Sequence, residues 1–200
     1  AYGGLLKDGV DGVDGLDGAS NVKISPDGQH VYVAAERGDA VSWFIRDAIT
    51  GALTYSGFFK DGVAGVDGLD GAYSVTISPD GQHVYVAAGS DSSVAWFTRD
   101  ATTGALSHGG VLKDGVAGVD GLNAAQSVTM SSDGQHVYVV AWFDDAVAWF
   151  TRDAGTGALT DGGDLKDGVA GVSGLQWPFS VTISPDDQHV YVAAYNGDSV

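Results

Sequence analysis

Aspartate carries most of the chemistry this chain could do. Of its 26 acidic residues only Glu36 is a glutamate. The aspartates gather in a segment that occurs four times. Asp8-Gly-Val-Asp11-Gly-Val-Asp14-Gly-Leu-Asp17 is followed by counterparts that start at Asp61, Asp114 and Asp167. The second and third copies keep Asp67 and Asp120, whereas the fourth has Ser173 at that place. Closely spaced carboxylates with free carbonyls suit a hard cation, so Asp8, Asp11, Asp14, Asp61, Asp67, Asp114, Asp120 and Asp167 form a candidate calcium set. The spacing is not that of an EF-hand, and the competing reading is a turn-rich connector whose carboxylates cap local N–H groups.

A second group consists of large residues found once each. Trp142, Phe143, Gln176, Trp177, Phe179 and Tyr195 fall where the other copies differ from them, and Asp144 joins them as a candidate ligand residue. Aromatic rings flanked by acids can stack a sugar ring or hold a peptide. The alternative is that they fill a gap between unequal repeats. His30, His83, His136 and His189 recur once per repeat and are too far apart to share a metal. They are expected to tie neighbouring turns. The pairs Arg46-Asp47, Arg99-Asp100 and Arg152-Asp153 are expected to end a strand and cap the next turn. No Ser/His/Asp nucleophile set and no phosphate-cradling glycine loop is found.

These residues sit on a repeat. SPDGQHVYV at 25–33 returns at 78–86, as SSDGQHVYV at 131–139, and as SPDDQHVYV at 184–192, with a period of 53 residues. Within one period, Ser74–Ser78 alternates apolar and polar residues, Pro79-Asp80-Gly81 marks a tight turn, and His83–Ala88 is rich in strand formers. Val94–Thr98 and Ala105–Lys113 supply a third and a fourth strand. Four antiparallel strands per unit, repeated, predict an all-β fold, a β-propeller of four-stranded blades. The expected layout is an outer strand at 1–7, blades at 8–60, 61–113 and 114–166, and an incomplete blade at 167–200. The sequence is consistent with a segment of a longer ring, with a homo-oligomer that completes a ring of about eight blades, or with closure as four blades.

In such a blade the connector and the loop between the second and third strands share one face of the disc, and the two hairpins share the other. The second-to-third loops vary between copies while the hairpins scarcely do. Ligand binding is therefore expected on the connector face.

The net charge is −17 with nine Lys and Arg, which disfavours nucleic acid and anionic membranes as partners. No apolar run reaches the roughly 18 residues a membrane span requires. Cysteine is absent, so no disulfide constrains the compartment.

The runs SxTISPDGQHVYVAA, SVAWFTRDATTGAL and LKDGVAGVDGLDGA resemble the repeats of the bacterial lactonase-like seven-bladed propeller family, over essentially the whole chain. That resemblance implies a propeller and a lactone hydrolase, with no catalytic residue transferred. The near-equivalence of the blades argues instead for a non-enzymatic binding or display module on an extracellular or cell-surface bacterial protein, recognising a glycan or peptide. This is the favoured expectation; a lactone hydrolase, with connector aspartates holding a metal at the channel mouth, is the alternative.

Overall fold

The computed structural model describes residues 4–200. Fourteen strands and no helix are found among them. In the first blade β1 (Ala19–Ile24), β2 (His30–Ala35), β3 (Ala40–Arg46) and β4 (Leu53–Lys60) pair in chain order, each antiparallel to the next. The second blade is β5 (Ala72–Ile77), β6 (His83–Ala88), β7 (Ser93–Arg99) and β8 (Leu106–Lys113). The third is β9 (Ala125–Met130), β10 (His136–Ala141), β11 (Ala146–Arg152) and β12 (Leu159–Lys166). β13 (Pro178–Ile183) and β14 (Val190–Ala194) form a two-stranded fourth unit. The first strands of consecutive units, β1, β5, β9 and β13, pack against one another, which makes them the inner strands of a propeller.

The second and third sheets are apolar on both faces because each is sandwiched between two neighbours. Val75, Val84, Val86 and Phe97 of the second blade pack onto Tyr32, Ala34, Val41 and Trp43 of the first. The opposite face of the second blade turns Tyr85, Ala87 and Val94 toward Val128, Val137 and Val139 of the third. Alternation along one strand thus serves two interfaces. On the outward side of the first blade, Val22 is 58% exposed, while its counterpart Val75 is fully buried.

The paired glycines of the outer strand do not interrupt it. β8 runs through Gly109 and Gly110, and the register against β7 shifts between Trp96 and Phe97 so that one residue bulges. A Cβ on either glycine would run into the Trp96 indole, so the bulge and the glycines together make room for the ring.

The outer strand expected at 1–7 is not seen in its described part. Residues 1–3 lie outside the described residues, and Gly4–Lys7 form no strand. An outermost strand needs a third strand beside it, and the fourth unit offers only β13 and β14 as named strands. Leu6 packs instead on the Val13, Val31 and Phe44 cluster of the first blade.

Candidate functional site at the channel mouth

The blades are bolted together on the hairpin face. Arg99 ends β7, and its guanidinium reaches back one blade: Nη2 donates to Asp27 Oδ2 at 2.6 Å and to His30 Nδ1 at 2.7 Å, and Nε donates to Tyr32 Oη at 2.8 Å. Tyr32 in turn donates to the Gly104 carbonyl at 2.7 Å. Because an arginine can only donate, His30 Nδ1 is an acceptor and the ring is neutral. One blade on, Arg152 repeats the bonds to Asp80 at 2.7 Å and to His83 at 2.7 Å, and Tyr85 donates to Gly157 at 2.9 Å.

These groups titrate as a lock should. Burial opposes the charge on Asp27, but Ser25, the Gln29 amide and Arg99 outweigh it and hold the carboxyl at about 2. Burial, seconded by the Arg99 charge, pushes His30 below its ordinary value. Burial raises the Tyr32 phenol to about 12. His30 and His83 therefore belong to an inter-blade tie, whereas the His136 and His189 rings make no such bond among the described residues. The Arg-Asp pairs split their roles: Asp100 caps the turn through Thr102 and Thr103 N–H at 2.9 and 2.7 Å, as expected, while Arg99 leaves that turn for the neighbouring blade.

On the opposite face the connectors fold over the ends of the outer strands. The first aspartate of each is a local cap. Asp8 accepts from the Leu16 amide at 2.8 Å, and Asp61, Asp114 and Asp167 accept from Leu69, Leu122 and Leu175 at 3.0 Å. Asp14 accepts from its neighbour Gly15 at 2.8 Å. Asp11 occupies an exposed left-handed position (φ 53°).

In the second and third blades the connector acids converge with one more. Asp61 and Asp67 meet Asp91 from the β6–β7 loop, and Asp114 and Asp120 meet Asp144 from the β10–β11 loop. A lysine enters each group: Lys113 Nζ lies 2.8 Å from both Asp67 and Asp91, and Lys166 lies 2.6 Å from Asp120 and 3.7 Å from Asp144. Any divalent ion would have to compete with that ammonium. Burial, then the nearby Asp91 carboxylate, raises the Asp61 carboxyl; burial, then Asp144, does the same to Asp114. The candidate calcium residues are thus distributed at the outer-strand ends of separate blades, away from the inner strands that line the channel. Asp144, expected beside the aromatics, stands among these connector acids instead. Asp91 and the two lysines were not singled out in the sequence, since nothing local links residue 91 to residue 61.

The mouth of the channel is different. A cleft of about 360 Å³ opens there, lined by Tyr73 of β5, Gln126 of β9, Phe179 of β13, Ser90, and Trp142 and Phe143 of the β10–β11 loop. Trp142 stacks on Trp177 (ring centroids 5.5 Å apart, 22° between planes), and Phe179 meets Trp142 edge-on at 6.0 Å. Trp177 stacks on Tyr195 at 6.4 Å and 10°. The structure therefore brings five of the seven predicted ligand residues together: Trp142, Phe143, Trp177, Phe179 and Tyr195. Gln176 sits at their rim and accepts from Asn196 Nδ2 at 3.2 Å.

On the other side of Tyr73, its hydroxyl donates to Glu36 Oε1 at 2.8 Å, and burial together with that bond raises the phenol. Tyr73, Gln126 and Glu36 were missed as site residues. The signal was present in the repeat alignment: Glu36, Gly89, Trp142 and Tyr195 are one position in four copies, and Ser20, Tyr73, Gln126 and Phe179 are another.

A family model described as the seven-bladed β-propeller lactonase matches residues 66–200. The chain belongs to this lactonase family. No curated protein matches it. Among solved structures, a candidate 6-phosphogluconolactonase of Bacteroides uniformis is 19% identical with a TM-score of 0.73, over 90% of this chain and 48% of that one. The periplasmic gluconolactonase of Pseudomonas aeruginosa is 23% identical with a TM-score of 0.67, again over 90% of this chain and 48% of that one. The hydrazine synthase of Kuenenia stuttgartiensis is 20% identical with a TM-score of 0.63, over 94% of this chain and 45% of that one. At these identities the likeness shows the fold. The chain spans about half the length of these structures.

The expectation of a non-enzymatic module is overturned by the match to the lactonase family. The four copies agree on their hairpin face and differ where their inner ends meet, which is where converging, non-equivalent side chains can act on one molecule.

Proposed function

We propose that the chain is part of a propeller that hydrolyses a lactone, with substrate held in the cleft at the channel mouth. The observation that carries this reading is that, in a chain of the lactonase family, two repeat positions that differ in all four copies, 36/89/142/195 and 20/73/126/179, supply Tyr73, Gly89, Gln126, Trp142 and Phe179 to that one cleft. Opening a lactone requires water to add to the carbonyl, the acyl C–O bond to break, and the ring oxygen to take up a proton. Glu36, which does not line the cleft but is tied to its wall through Tyr73, is the carboxylate assigned to accept the proton of the attacking water and return it to the departing oxygen. Tyr73 positions it. A phenol whose pKa is raised stays protonated at neutral pH and holds one carboxylate oxygen, leaving the other for water. Gln126 offers an amide to the carbonyl or a hydroxyl, and Trp142, Phe143 and Phe179 form an apolar wall that excludes water behind the ring.

One matched structure is named as a periplasmic enzyme, which supports an exported setting for this chain. The test is a pH-stat assay of the full chain on γ- and δ-lactones, read against the spontaneous rate. Glu36→Gln is expected to lower the enzymatic rate about 100-fold. No acceleration across the panel, or an unchanged Glu36→Gln rate, would remove the proposal.

A further inference from the structure

We propose that Trp142, Trp177 and Tyr195 form a subsite for an uncharged sugar ring, so that the molecule this mouth takes is a neutral sugar or sugar lactone and not a sugar phosphate. The lactone part rests on the hydrolase reading above; the sugar subsite does not.

The first ground is the backbone of Trp177. It adopts a left-handed conformation, φ 56°, at the position held in the other copies by Gly18 (φ 66°), Gly71 (φ 67°) and Ala124 (φ 59°). The connector needs that conformation to turn into each inner strand, and glycine adopts it without steric cost. A bulky L residue there is a genuine outlier. The fourth copy tolerates the strain and gains an indole at the channel mouth. Such outliers gather where a side chain must be placed for a ligand.

The second ground is exposure. Trp177 is 39% exposed, Phe179 58% and Phe143 71%, all at the seam between the third blade and the fourth unit. Rings packed only to fill a gap would bury their faces. Here Trp142, Trp177 and Tyr195 lie nearly parallel, a stepped platform whose outer face can take the C–H face of a pyranose.

The platform is also held rigid. Asp145 Oδ1 accepts from the Trp177 amide at 2.8 Å, and the Trp177 carbonyl accepts from the Tyr195 amide at 3.0 Å. Gln176 and Asn196 form an amide pair at its rim that can exchange bonds with sugar hydroxyls.

The third ground is charge. The loops around the platform carry Asp144, Asp145 and Asp198. The nearest lysine by loop, Lys166, is taken by Asp120 and Asp144. On the acidic side of the mouth Arg37 is paired with Asp17 at 2.9 Å. A phosphate here would face carboxylates while Lys166 and Arg37 are already paired, whereas hydroxyls bond to carboxylates and amides alike.

The test is titration of the full chain, followed by tryptophan fluorescence, with methyl β-D-glucopyranoside as the neutral probe and glucose 6-phosphate as the charged one. The neutral probe is expected to quench saturably in the millimolar range and the phosphate to bind at least 10-fold more weakly. Trp177→Gly restores the residue the first two blades use, so it should fold as well as the parent and lose the neutral probe at least 10-fold. Equal or tighter phosphate binding, or full binding by Trp177→Gly, overturns the subsite. Sugar binding without hydrolysis of glucono-δ-lactone sinks the hydrolase reading and leaves the subsite standing. Hydrolysis without any saturable quench does the reverse.

Discussion

The hairpin rim and the channel mouth are built from the same 53-residue unit and have diverged in opposite directions. At the rim, Asp27, His30 and Tyr32 meet Arg99, and Asp80, His83 and Tyr85 lie around Arg152, so the copies are nearly interchangeable. At the mouth, one alignment position reads Glu36, Gly89, Trp142 and Tyr195 and another Ser20, Tyr73, Gln126 and Phe179, so no two inner ends are chemically alike. The rim solves a problem every blade shares, joining one wedge to the next. The mouth is where wedges meet at a common axis, so only there can differences between copies act on one molecule. Stability and function are therefore separable by face, and this can be broken experimentally.

The largest effect is expected at the rim. Arg99 has its side chain 1% exposed and bridges three groups of the preceding blade, so Arg99→Ala should cost about 3 kcal/mol by leaving buried polar partners unpaired. Arg46, its counterpart in the first blade, bonds only the Gly28 carbonyl of its own blade among the described residues, and Arg46→Ala should cost about 1 kcal/mol or less. Urea midpoints would decide; equal losses would show that the inter-blade tie is not what stabilises the rim.

Next come the mouth substitutions. Glu36→Gln is expected to remove about two orders of magnitude of lactone hydrolysis while moving the urea midpoint little, since the Tyr73 hydroxyl keeps an acceptor. A large stability loss there would blur the division between the faces.

Acid should attack the rim in two stages. His30 and His83 are held below their ordinary pKa by burial and then by the adjacent guanidinium, so the unfolded chain takes up protons that the folded one resists. Their contribution is complete above about pH 6.5 and declines as pH falls below it. Asp27 and Asp80, at about 2 in the folded chain against 3.8, add stability above about pH 4 that is lost between pH 4 and 2. Asp61 and Asp114, raised mainly by burial, act the other way: their contribution is present at low pH and lost as pH rises through their folded values. Midpoints measured from pH 8 to 2 should therefore fall in two steps, and the pair Asp27→Asn, Asp80→Asn should flatten the second.

The smallest effect is expected at the connector acids. Lys113→Gln leaves Asp61, Asp67 and Asp91 together without their ammonium and should lower stability by about 1 kcal/mol, more at low salt than at high. An unchanged midpoint at low salt would mean that these carboxylates are already neutralised by sharing a proton.

Much of this was readable in the chain because it is local. Period, turn residues and apolar alternation act within a few residues, and they specify four-stranded units and which loops share a face. The aromatics at 142, 143, 177, 179 and 195 stood out for the same reason, as departures from a local pattern. The Asp8, Asp61, Asp114 and Asp167 caps close over eight residues, and the capping alternative for the connectors was likewise within reach of the sequence.

Other facts depend on how wedges stack. Arg99 meets Asp27 across 72 residues, Tyr73 meets Glu36 across 37, and Trp142 meets a Trp177 whose connector has crossed a whole blade. Repetition also misled, since four similar copies read as four equivalent contacts until their inner ends were seen to converge. Sequence determines the blade, because strand and turn energetics are decided by neighbours along the chain. Only the tertiary structure decides the mouth, because its residues are neighbours through the packing of one sheet against the next.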